Sequence, residues 1–158
     1  MTLQKQTIDH YLGIDPGKSG AICAINSDGN AWVVVKADRP YKEIYHELWH
    51  ATCIKGRCFA VIENVHSMPM QGVASTFKFG ESFGMLLGLL ATTDVDYVKV
   101  SPAVWCKELG LKKGKEESNT DWKNRHKQLA QELFPEVDVT HATADALLIA
   151  EYCRRTNK

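Results

Sequence analysis

No charge of one sign dominates this chain. Nineteen Lys and Arg residues face nineteen Asp and Glu residues over 158 positions, so the net charge makes no case for a nucleic-acid partner. A long hydrophobic run is also missing. The most apolar stretch, around residues 85–92, is short and interrupted by Gly88, which argues against a membrane-spanning helix. The first residues, MTLQKQTIDHYLGID, lack a charged head followed by an apolar stretch and a small-residue cleavage site. A soluble, intracellular and cytoplasmic protein is therefore expected. Paired cysteines are absent as well. Cys23, Cys53, Cys58, Cys106 and Cys153 are odd in number and never spaced CxxC, which argues against a disulfide framework or a zinc ribbon and leaves reduced, mostly buried thiols. Without a repeat, a low-complexity tract or a linker composition, the chain reads as one domain over residues 1–158.

What is present is an ordinary globular composition, 44% hydrophobic and 24% charged. Residues 11–15 (YLGID) form a short apolar run ending in an acid, and Pro16-Gly17-Lys18-Ser19-Gly20 is turn chemistry. Residues 21–25 and 31–35 are β-rich and separated by a segment containing Asp28-Gly29, which suits a hairpin. A helix is predicted over 41–51 after Pro40 and a buried strand over 58–62 (CFAVI), too short for a helix and ending at Glu63. Residues 73–90 read as a helix with Gly80, Gly84 and Gly88 on one side, where close helix packing is the natural use. A strand follows at 95–100, then a short helix begun by Ser101-Pro102, a mobile loop at 110–119, and helices at 120–133 and 141–154. The order β-β-β-α-β-α-β-α-α-α predicts an α/β fold in which a mixed five-stranded sheet is flanked by helices.

Three acids occupy chemically suggestive places. Asp15 ends the first strand, Glu63 ends the buried strand, and Asp145 lies in the first turns of the last helix. Strand ends converge at a sheet edge, a helix laid across that edge can complete a carboxylate cluster, and hard oxygen ligands suit Mg²⁺ or Mn²⁺. Two such ions can activate water and stabilise the leaving oxygen in phosphodiester cleavage. Each acid also has a plainer reading: Asp15 as a turn former, Asp145 as a partner of the helix N-terminus, and Glu63 as a carboxylate paired in some other way. His141, four residues before Asp145, shares its helical face and can serve the same metal or simply stand near the helix start. Residues 99–127 are rich in Lys and Arg, a phosphate-binding surface or an ordinary solvated face.

The segments GIDPGKSGA at 13–21, FAVIENV at 59–65 and ADALLIAEY at 144–152 together resemble the RuvC family of Holliday junction resolvases, nearly end to end. ENVHSMPMQG and FKFGESFG look closer to phage-type members than to the bacterial enzyme. The resemblance implies an RNase H-like fold, a homodimer, recognition of four-way or branched DNA, and paired nicks made with Mg²⁺, Mn²⁺ being the alternative, at two ions per active site. Carried onto this chain, it assigns metal coordination and catalysis to Asp15, Glu63 and Asp145, with His141 the nearest candidate for the fourth ligand. Here the pattern departs from bacterial members, which commonly space the last two ligands three apart; that position is Ala142. Exchanging a carboxylate for histidine weakens the negative charge and can favour Mn²⁺. The resemblance also places His66, Met68 and Met70 in a loop near the junction centre, where an apolar residue can stack on an unpaired base. Lys107, Lys112, Lys113 and Lys115 are candidates for phosphate neutralisation, and the glycine and phenylalanine pattern of 77–88 fits the family's dimer helix or ordinary core packing.

The expected activity is that of a crossover junction endodeoxyribonuclease, leaving 5′-phosphate and 3′-hydroxyl ends by water attack. Two alternatives stand beside it: a nuclease of the same superfamily with broader branched-DNA or RNA–DNA-hybrid range, and a junction-binding protein that cuts poorly. A nucleotide-binding fold of the actin and sugar-kinase type is disfavoured, because a chain of this length lacks the second lobe needed to enclose ATP.

Overall fold

The computed structural model describes residues 7–54, 56–64, 72–93 and 95–157. Its elements run β1 (His10–Ile14), β2 (Ala21–Asn26), β3 (Ala31–Lys36), α1 (Tyr41–Ile54), β4 (Cys58–Glu63), α2 (Val73–Thr92), β5 (Asp96–Val100), α3 (Pro102–Glu108), α4 (Asn119–Leu133) and α5 (His141–Thr156). Among the described residues the five strands form a sheet in the order β3-β2-β1-β4-β5. The β1–β2 and β2–β3 pairs are antiparallel; β1–β4 and β4–β5 are parallel. The result is the mixed five-stranded α/β sheet that the strand pattern predicts.

Helices cover both faces, which is why β1, β2 and β4 read as nearly unbroken apolar runs. Alternation along β1 divides the core. Tyr11 joins the layer containing Trp105, Ala130, Leu147 and Leu148 from α3, α4 and α5, whereas Leu12 and Ile14 join Ile44, Leu48, Leu86 and Leu90 from α1 and α2. Each fully buried Leu or Ile contributes roughly 2 kcal/mol by its removal from water, so the central strands are fixed from both sides.

The tightest contact lies between β1 and α5. A Cβ built on Gly13 would fall 2.1 Å from the Ala146 carbonyl oxygen and 2.2 Å from the Ala150 nitrogen. Only glycine lets the helix backbone sit directly on the strand. Thr140 caps α5 through a reciprocal exchange with Thr143, so both the start of the helix and its seat are fixed. Ser101, by contrast, makes no side-chain capping bond at α3, although Pro102 takes the first helical position.

Two local expectations need correction. Gly80, Gly84 and Gly88 pack against nothing: a Cβ at any of them meets no atom within 4 Å among the described residues. The glycine side of α2 faces outward because Leu86 and Leu90, its buried residues, lie on the opposite side. The segment 110–119 is tied down. Arg125 donates to the Lys112 carbonyl at 3.1 Å and to Glu117 at 3.0 Å, Gly114 N–H donates to Glu117, and Lys113 donates to Asn119. All five cysteines are free, with Cys53 alone exposed. No helix among the described residues is long and apolar enough to cross a membrane.

Candidate functional site

Parallel pairing of β1 with β4 sets Ile14 opposite Ile62, so the residues that follow, Asp15 just beyond β1 and Glu63 at the last position of β4, lie at the same edge of the sheet. The seat of α5 on Gly13 brings Asp145, near the start of that helix, over this edge. The three acids named from the sequence therefore come together from two strands and one helix. Their electrostatics register the proximity. Burial first, opposed by the Gly17 hydrogen bond and Lys123 and reinforced by Asp145, pushes the Asp15 carboxyl up to about 6. Burial and the Asp15 charge push Glu63 up to about 7, with Asp145 adding and a hydrogen bond from Trp105 subtracting.

Each acid has one oxygen engaged. The Gly17 backbone N–H donates to Asp15 Oδ1 at 2.9 Å. The Trp105 indole Nε1–H donates to Glu63 Oε2 at 2.9 Å. His126 Nδ1 lies 2.6 Å from Asp145 Oδ1. The second oxygen of each carboxylate has no side-chain or backbone partner among the described residues. This leaves three hard carboxyl oxygens at one edge, a donor set that fits Mg²⁺ or Mn²⁺. Among the described residues, no three His, Cys, Asp or Glu side chains are already drawn into a group able to hold an ion.

Two hollows adjoin the acids and share Asp145 and Lys123 in their walls. The larger, about 780 Å³, runs from Glu63 past Trp105, Trp122 and His126 to Lys107, Lys112 and Lys113. The smaller, about 370 Å³, is bounded by Asp15, Lys18, Ser19 and His141. His141 is thus on the rim beside Asp15 and Asp145, but its Nε2 is 2.9 Å from Asn124 Oδ1; the imidazole bonded to Asp145 is that of His126. Lys115 is exposed and lines neither hollow. His66, Met68 and Met70 lie outside the described residues.

Sequence reasoning passed over Trp105 and His126 as site residues and treated Lys123 only as part of a cationic segment. One signal was available. Trp122, His126, Ala130 and Leu133 recur on one face of α4, and a histidine on an apolar face needs a polar partner. The identity of that partner was not legible from spacing, because Asp145 is nineteen residues away.

A sheet of three antiparallel strands continued by two parallel ones, with helices on both faces, is the RNase H-like fold. The solved structures it matches include Thermus thermophilus RuvC in complex with a Holliday junction substrate, at 16% identity and TM-score 0.57, covering 90% of this chain and 91% of that one. Another structure of Thermus thermophilus RuvC matches with the same identity and TM-score, over 90% of this chain and 92% of that one. At this identity the likeness is one of fold. No protein-family model matches the chain, and the comparison with curated proteins gives no match.

Proposed function

We propose that this chain is a metal-dependent, structure-selective endonuclease that cuts four-way DNA junctions with paired, symmetric nicks. The observation that carries the reading is the convergence of Asp15, Glu63 and Asp145, each with one oxygen held and one unengaged, at one edge of the sheet. The junction is the substrate of the structural neighbour, whose fold extends over 90% of this chain, and is brought here on that support.

The chain's own residues have separable tasks. Asp15, Glu63 and Asp145 would hold the metal, two ions being the family expectation, with His141 on the rim as the fourth candidate ligand. When bound, Mg²⁺ or Mn²⁺ supplies an activated water and a Lewis acid for the leaving oxygen, as in other carboxylate nucleases. Lys123, which stands close enough to lower the Asp15 carboxyl's affinity for protons, and Lys107, Lys112 and Lys113 along the larger hollow would neutralise the backbone phosphates that flank the scissile bond. His66 and Met68 remain candidates for contact with unpaired bases. Water attack leaves a 5′-phosphate and a 3′-hydroxyl without a covalent enzyme intermediate. Symmetric nicking requires two active sites, and the outward apolar side of α2, where Phe77 and Val73 are exposed, is the surface through which a homodimer would form.

The test is cleavage of end-labelled four-way junction, linear duplex and RNA–DNA hybrid with Mg²⁺ or Mn²⁺, comparing wild type with Asp145→Asn. Ligatable, symmetric nicks confined to the junction and lost in Asp145→Asn are expected. Cleavage of the hybrid instead would assign the chain to another nuclease activity of this fold. Tight junction binding without cutting by the wild type would make it a recruiting protein.

A further inference from the structure

His126 is a costly residue to place where it is. The residue is 4% exposed and its ring packs against two indoles, that of Trp122 with centroids 4.3 Å apart and that of Trp105 at 5.3 Å, both edge to face. Burying an imidazole is unfavourable unless its nitrogens are bonded. Yet Nε2 has no hydrogen-bond partner among the described residues. A phenylalanine would fill the same space between the tryptophans without that cost. What the imidazole supplies beyond a phenyl ring is Nδ1, at 2.6 Å from Asp145 Oδ1.

Trp105 has the same character on the neighbouring helix. It is 1% exposed, and its one polar atom donates to Glu63 Oε2. The two rings touch each other, so the donor to Glu63 and the donor to Asp145 are parts of one packed aromatic unit spanning α3 and α4.

We infer that Trp105 and His126 act together as positioning residues for the metal-binding carboxylates, each fixing one oxygen so that Glu63 Oε1 and Asp145 Oδ2 stay presented to the ion. This inference rests on the metal-dependent reading above. Carboxylates held in place before the ion arrives lose less rotational freedom on binding it, and partners standing behind metal ligands commonly set metal affinity for that reason. The aromatic packing keeps the donors themselves from turning.

The experiment measures Mn²⁺ binding to the intact chain by titration calorimetry, without DNA, alongside junction cleavage as a function of Mn²⁺ concentration. Trp105→Phe and His126→Phe keep the aromatic packing and remove the N–H donors; His126→Asn loses packing but can place an amide N–H near the position of Nδ1. Both phenylalanine variants are expected to bind Mn²⁺ about 10- to 100-fold more weakly, to need correspondingly more Mn²⁺ for half-maximal cleavage, and to regain much of their rate at saturating metal. His126→Asn is expected to bind Mn²⁺ more tightly than His126→Phe even if it melts at a lower temperature. The opposite order, with His126→Phe like wild type and His126→Asn impaired, would show that the ring only fills space and would overturn the inference. Should His126→Phe not fold, Trp105→Phe carries the same test at Glu63, and wild-type Mn²⁺ affinity there would overturn it. Wild type that binds no Mn²⁺ and cuts nothing would overturn the nuclease reading itself. Wild type that binds and cuts, with donor-free variants unchanged, would overturn the positioning role alone.

Discussion

Gly13 of β1 and Ala150 of α5 meet with no side chain between them: a Cβ on the glycine would lie 2.2 Å from the alanine's backbone nitrogen and 2.8 Å from its Cα. Because α5 carries Asp145 and β1 delivers Asp15, this contact sets the separation of two candidate ligands. Gly13→Ala is therefore expected to destabilise the protein by about 3 kcal/mol or more, since neither backbone can yield as a side chain would. Where the variant still folds, Asp145 is displaced and junction cleavage falls at least tenfold, although no acid has been changed. Denaturant melts and cleavage rates on one preparation check both outcomes. A variant with wild-type stability would show that helix and strand do not meet as closely as described.

Removing a charge from the acid cluster should stabilise the metal-free protein. The Asp15 carboxyl titrates near 6 in the folded chain against an ordinary 3.8, with burial the main cause. Below pH 3.8 the group is protonated in both folded and unfolded chains and costs nothing. As pH rises the unfolded chain gives up its proton first, so the penalty to folding grows until the pH passes about 6 and is constant above it. Asp15→Asn, which can still accept the Gly17 N–H, is expected to raise stability by roughly 2 kcal/mol at pH 8 in EDTA and to leave it nearly unchanged at pH 3.5. Glu63→Gln should act in the same direction over a window reaching about pH 7. The two gains will not add fully, because part of each is the same mutual repulsion. Melting curves across pH, without metal, give the comparison, and a loss of stability at pH 8 would contradict the description of the cluster.

Phosphate neutralisation should show in the salt dependence of junction binding. Lys112 and Lys113 border the larger hollow, whereas Lys115 lies outside both. The double variant Lys112→Ala, Lys113→Ala should flatten the slope of log affinity against log salt by about 1 to 2, near 0.9 for each phosphate that a lysine no longer neutralises. Lys115→Ala should change it by much less. Equal effects from all three lysines would point to a diffuse cationic loop rather than to the hollow.

The proposed dimer predicts a change in mass rather than in fold. Phe77 is 74% exposed on α2, so Phe77→Glu leaves the core of the single chain intact, but it would place a charge in any contact made through that face. Sedimentation should find wild type as a dimer and Phe77→Glu as a monomer with an unchanged unfolding temperature. A wild-type monomer at micromolar concentration would remove α2 as the dimer surface.

By itself, the order of residues determined the element pattern and the three acids. Alternation and short apolar runs marked the strands, Asp28-Gly29 marked the hairpin, and the three acids stood out by position, Asp15 and Glu63 at the ends of apolar strand segments and Asp145 among apolar neighbours in the first turns of the last helix. These signals are local, carried by neighbours within a few positions. The glycine stripe of α2 did not reveal which side of the helix the rest of the chain covers, because glycine spacing carries no such information; Leu86 and Leu90 decided that, and the stripe lies on the outward side. His141 was visible as a candidate from local spacing, being four residues from Asp145 on the same helix, and it stands on the rim beside Asp15 and Asp145. Only the tertiary structure could set His126 against Asp145 and Trp105 against Glu63, across nineteen and forty-two residues. Those pairs exist because α3 and α4 pack beside α5 over one face of the sheet, and a hydrogen bond between distant segments follows from packing that no local spacing encodes.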